Sequence, residues 1–163
     1  MSVKNKSLLL IILLLLADQI SKFYIKLSFP LSYSDYQGDH NSIQIFNWFK
    51  LFFVENEGAA FGMKIIGKLF LTLFRIVAVG VLGVFIHRLI KRGARTGFIL
   101  AVSVLLAGAA GNIIDSVFYG VIFSESTIYQ AATLFPEGGG YAPIFYGKVV
   151  DMLYFPIIRN AHF

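Results

Sequence analysis

Three long apolar stretches set the terms for this chain. Residues 8–27, 65–90 and 97–118 are each long enough for a helix to cross a hydrocarbon core, which takes about 20 residues. Hydrophobic residues make up 57% of the 163 and charged ones 14%, a balance that argues against an ordinary soluble domain. The expectation is a polytopic membrane protein with three spanning helices, folded as a single membrane domain over 1–163. The first stretch also has the layout of a signal peptide, with Lys4 and Lys6 ahead of an apolar run. No small-x-small cleavage site follows, and the apolar pattern runs on beyond residue 17, so a span is expected instead.

The placement of charge gives the topology. Six Lys or Arg and no acid occupy the N-terminus and residues 87–96, while all nine acids lie elsewhere. Basic loops stay on the cytoplasmic side, so these two segments are expected inside and residues 28–62 and 119–163 outside. The net charge of +5 is then a matter of topology. No basic face stands on a soluble fold, and nucleic acid is not an expected partner. The absence of cysteine excludes disulfides, thiolate chemistry and cysteine metal sites, and neither a metal nor a cofactor is expected.

Outside the spans, residues 28–62 begin polar and turn aromatic and β-branched from Ile43 to Val54. One or two short strands are expected there at the membrane surface, with Trp48 and the phenylalanines as interfacial anchors. Residues 119–148 read as an outer loop with Pro136, Pro143 and the run Gly138-Gly139-Gly140. Arg75, inside the second apolar stretch, reads as an interfacial anchor within snorkelling reach of the surface.

The third span ends in Ala107-Gly108-Ala109-Ala110-Gly111-Asn112-Ile113-Ile114-Asp115-Ser116. On a helix, Gly108, Asn112 and Asp115 fall at i, i+4 and i+7 on one face. Glycines on such a face allow a neighbouring helix close, and Gly108 and Gly111 are both expected at a helix–helix contact. An amide and an acid there are costly unless they pair or work. Asp18 and Lys22, at i and i+4, read either as a plain intrahelical ion pair or as an acid turned into the bundle. A further acid, Asp151, follows Val149-Val150. Two carboxylates in a low-dielectric site share a proton and can act as base and acid together on an amide. Transporters and structural bundles also carry acids near membrane ends, so the pattern by itself leaves those classes open.

Four blocks in order sharpen the reading: Asp18-Gln19-Ile20-Ser21-Lys22; Asn56-Glu57-Gly58-Ala59-Ala60-Phe61-Gly62; Gly108 to Asp115; and Val149-Val150-Asp151. In these the chain resembles the lipoprotein signal peptidases, the signal peptidase II family. The resemblance implies an all-α polytopic membrane fold, three helices here and four in the family, with a small extracytoplasmic β-containing unit. It implies an aspartic endopeptidase that cuts prolipoproteins before their diacylglyceryl-modified cysteine. Such an enzyme would sit in a bacterial inner membrane as a monomer among lipids, with a cytoplasmic N-terminus and its active site near the outer face. Asp151 matches one of the family's two catalytic aspartates. Asp18, Lys22, Asn56, Gly58, Gly108, Asn112 and Asp115 match positions that support the site and bind substrate.

Three departures accompany the match. Ser116 stands where the family usually has Arg. The stretch between Asp115 and Asp151 is longer than usual, chiefly through residues 121–147. No Asp follows Asp151, so the partner aspartate and the helix that carries it are expected to be missing, the dyad incomplete and the activity of these 163 residues small. The alternatives are a non-catalytic relative that binds lipoprotein precursors and a small polytopic transporter subunit.

Overall fold

The computed structural model describes residues 1–57 and 66–156. Gly58, one of the residues expected at the site, lies outside them. Helix α1 is Val3–Ser28, α2 is Ile66–Lys91 and α3 is Thr96–Ile114. A π-helical turn, Asp115–Tyr119, and a short α-turn, Gly120–Ile122, carry α3 onward. By length and composition Val3–Ser28, Gly67–Lys91 and Thr96–Ile122 can each cross a membrane. The 26 residues of α1 correspond to about 39 Å of helix. α1 begins ahead of the expected residue 8 because Ser2 caps it, its Oγ accepting from the Asn5 N–H at 3.2 Å.

α3 is the middle of the bundle and packs against both α1 and α2. Small residues make this possible. Ser7 on α1 and Ser103 on α3 hydrogen-bond to each other at 2.6 Å, buried, which satisfies both hydroxyls away from water. Ile86, Ile99 and Val102 form a compact apolar cluster between α2 and α3. Large apolar side chains such as Leu13, Leu16, Phe74 and Leu105 face outward, as helices in a hydrocarbon solvent require.

Three helices make the spans, and the β-containing unit expected beside them is larger than the one or two short strands read from the sequence. Among the described residues five strands form two sheets. β1 (Tyr33–Asp35) and β2 (Gly38–His40) make a hairpin; β3 (Ile43–Phe46), β4 (Phe49–Asn56) and β5 (Val149–Tyr154) make an antiparallel sheet in that order. The β-unit therefore reaches beyond 28–62 and draws in Asp151. The register is Val54 opposite Asp151, Glu55 opposite Val150 and Asn56 opposite Val149. Phe53, Tyr119, Phe123, Ala132 and Val150 close with Ile25 into one core, so sheet, loop and helix ends are one packed unit.

The π-turn has a tertiary cause. Backbone N–H groups of the 123–148 loop bond its carbonyls, Gly147 to Ser116 at 2.8 Å and Phe145 to Val117 at 3.2 Å, and Ala142 bonds Gly120 in the α-turn after it at 2.9 Å. Carbonyls thus engaged need no intrahelical donor. Gly147 allows this approach, since a Cβ there would stand 2.2 Å from the Asp115 oxygen.

Candidate active site

The C-terminal ends of α1 and α3 meet through a polar network built on Lys22. Its Nζ reaches Asp115 Oδ2 at 2.7 Å, Asp18 Oδ2 at 3.1 Å and Asn112 Oδ1 at 3.2 Å. Three acceptors match the three donors of an ammonium. Lys22 is 3% exposed and Asp115 fully buried, and a buried charge persists only when paired in this way. Asp115 also accepts from Gln19 Nε2 at 3.2 Å and from the Val150 N–H at 3.1 Å. Its carboxylate therefore joins α1, α3 and β5. The plain intrahelical reading of Asp18 and Lys22 is too narrow, because Lys22 spends its shortest bond across helices.

Sequence reasoning missed Gln19. Its amide nitrogen donates to Asp18 Oδ2, the Gly111 oxygen and Asp115, and its oxygen accepts from the Tyr119 hydroxyl at 2.8 Å. The available signal was an amide inside an apolar span. The Lys26–Glu55–Ser126 group was missed as well. Lys26, fully buried, pairs with Glu55 and donates to Ser126 Oγ at 3.0 Å, pinning α1 to β4 and the 123–148 loop. Beside it, burial pushes the Tyr141 phenol above its ordinary range. It stays neutral and accepts the Lys148 N–H at 2.8 Å.

Asp151 sits differently from Asp115. It is exposed on β5 and lines a groove of about 540 Å³ together with Asp18, Ser21, Lys22, Gly108 and Asn112. Leu14, Ala17 and Leu153 give the groove apolar wall. Lys148 turns instead toward Glu125 at 3.5 Å and Glu57 at 3.8 Å. Asn56 ends β4 opposite Val149, two pairs along the ladder from Asp151. Of the expected site residues, Asp18, Lys22, Gly108, Asn112 and Asp151 share the groove, Asp115 lies beneath it and Asn56 beside the strand that carries Asp151. Ser116 accepts from Arg75 Nη1 at 3.3 Å, so a guanidinium from α2 reaches the position where the resemblance expects Arg, and Arg75 is more than a surface anchor. Among the described residues no group of three His, Cys, Asp or Glu is placed to hold a metal ion.

The two glycines part company. At Gly111 a Cβ would come within 2.4 Å of Asp18 Oδ2, whereas at Gly108 it would meet nothing within 4 Å. Gly108 is therefore groove wall, not the helix contact expected of it. Gly111→Leu should cost about 1–3 kcal/mol through overpacking, read as a lower melting temperature in detergent, while Gly108→Leu should melt like the parent. Equal melting of the two variants would sink the distinction.

A family model described as "Signal peptidase (SPase) II" matches residues 10–163. A lipoprotein signal peptidase of Porphyromonas gingivalis is 47% identical over 153 residues, which cover 93% of this chain and 64% of that protein. One from Amoebophilus asiaticus is 35% identical over 150 residues, covering 88% and 56%. The chain thus spans less than two thirds of the length of these relatives. A solved structure titled "Bacterial membrane enzyme structure by the in meso method at 2.3 A resolution" shares the fold, with a TM-score of 0.57, 21% identity and coverage of 94% of this chain and 71% of that one.

Proposed function

The chain belongs to the signal peptidase II family, and from that premise we propose an aspartic endopeptidase that removes signal peptides from diacylglyceryl-modified prolipoproteins. Asp151 is read as one of its two reacting carboxylates. The observation that carries this is the groove, which an exposed Asp151 lines together with Asp18, Lys22 and Asn112 beside apolar wall. In such a dyad one carboxylate takes a proton from water as the water oxygen attacks the scissile carbonyl carbon. The other, protonated, gives its proton to the leaving amide nitrogen. The apolar wall suits the signal peptide and acyl chains, and Gly108 leaves room for them. Lys22, Asp115 and Gln19 hold the groove's two sides together and take no part in proton transfer. The acid sharing the groove with Asp151 among the described residues is Asp18, already paired with Lys22. The resemblance assigns the partner role to an aspartate C-terminal to Asp151.

The test is cleavage of a diacylglyceryl-modified precursor in detergent micelles, followed by gel shift. The chain is assayed alone and joined to a C-terminal extension that carries an aspartate. The joined chain should cleave the modified precursor and spare the same precursor without its diacylglycerol, and the 163 residues alone should cleave little. Cleavage of both precursors alike would remove the lipoprotein assignment. Full cleavage by the 163 residues would hand the partner role to Asp18 or Asp115.

We place the enzyme in a bacterial inner membrane as a monomer, with the N-terminus and the 87–96 loop cytoplasmic and the groove toward the outer face. The basic loops support this orientation. A proton-relaying transporter would step its acids through the spans, whereas Asp18 and Asp115 meet at one end through Lys22. Because the sequence has no cysteine, single cysteines report topology cleanly. Arg92→Cys should stay unlabelled by an impermeant maleimide added to whole cells, and Tyr36→Cys should be labelled. The reverse pattern would invert the topology.

A further inference from the structure

At the end of the bundle away from the groove, α1 and α2 stand apart over α3 and leave a cleft of about 410 Å³. Its wall is apolar, with Leu8, Ile11, Ile86 and Leu106, and its rim carries Lys4, His87 and Lys91. Gly83 opens it, since a Cβ there would meet only Leu106 Cδ1 at 3.9 Å. No acid precedes Asp18 and none lies between Glu57 and Asp115, so the rim is positive with no local counter-charge. From Lys4 to Ile11 the wall descends about 10 Å at 1.5 Å per residue.

We propose that this cleft binds one anionic phospholipid, with an acyl chain along the wall between α1 and α2 and the phosphate against Lys4, His87 and Lys91. Charge and shape both lead to this occupant. Uncompensated cations at a membrane boundary attract anionic headgroups, and an apolar wall beneath them suits a hydrocarbon chain. A further helix would cover the apolar wall and leave the three cations at the rim without a counter-charge. A free phosphate would use the rim and leave the wall unexplained. The site is distinct from the groove of Asp151, and neither orientation nor peptidase activity is needed for it.

The experiment is native mass spectrometry of the 163-residue chain in non-ionic detergent. It is titrated with phosphatidylglycerol or phosphatidylcholine of the same acyl composition, or with inorganic phosphate. Phosphatidylglycerol should be retained at least about 10-fold more strongly than phosphatidylcholine, a difference of roughly 1.4 kcal/mol, with no adduct from inorganic phosphate. Lys4→Gln with Lys91→Gln, two exposed positions, should bring phosphatidylglycerol down to the phosphatidylcholine level. Gly83→Leu, which has room to fold, should reduce retention of both lipids. Equal retention of the two lipids by the parent, an unchanged preference in the double variant, or unchanged retention in Gly83→Leu would each overturn the assignment.

Discussion

Asp151→Asn should leave the fold intact and remove cleavage. The side chain is exposed on β5 and opens into the groove, so an amide of the same shape disturbs no packing. A surface change of this kind shifts stability by about 0.5 kcal/mol or less. The chemical loss is large, because an amide neither takes a proton from water nor delivers one to the leaving nitrogen. Losing one member of a cooperating set commonly costs on the order of 10⁴-fold in kcat. In the joined chain the variant should therefore melt like the parent, keep its KM and lose turnover. Asp115→Asn should do the opposite kind of damage. Asp115 is buried, and its oxygens receive the Lys22 ammonium, the Val150 N–H and the Gln19 amide. An Asn there removes the countercharge and points a donor at donors. Lower melting should come first, with turnover lost only as far as the fold is lost. Retention of more than about a tenth of the parental kcat by Asp151→Asn would withdraw it from the reacting pair.

Lys22→Met should be among the most destabilising single changes in the chain. The ammonium is buried and bonded to Asp115, Asp18 and Asn112. Methionine fills much of the stem's volume but leaves Asp115 as an unpaired charge in the bundle. Breaking a buried pair from one side typically costs about 3–5 kcal/mol, enough to lower folded yield visibly. The double variant Lys22→Met, Asp115→Asn should recover part of that loss, because the stranded charge goes with its partner. The measurement is thermal melting of all four proteins in one detergent. If the double variant melts at or below the sum of the single losses, the penalty does not come from the stranded Asp115 charge.

The spans were legible because one-dimensional quantities determine them: run lengths and apolar composition. The Asp18–Lys22 pair and the shared face of Asn112 and Asp115 are local for the same reason, since i, i+4 neighbours follow from helix geometry. The strands of 28–62 were legible only in part. Their β-branched and aromatic character marks a pleated surface but names no partner, and β5 is supplied by residues more than ninety positions further along.

What the tertiary structure decided is which long-range partners meet. Gly108 and Gly111 look alike in sequence, and only the packing of α1 on α3 sets one against Asp18 and leaves the other open to the groove. Gln19 and Tyr119 are 100 positions apart, as are Lys26 and Ser126, and no local propensity connects them. The π-turn depends on donors brought in by a loop that follows it in the chain. The division between a buried Asp115 and an exposed Asp151 comes from the same source: burial belongs to the packed assembly, and the two carboxylates are chemically identical until the fold desolvates one and leaves the other facing the groove.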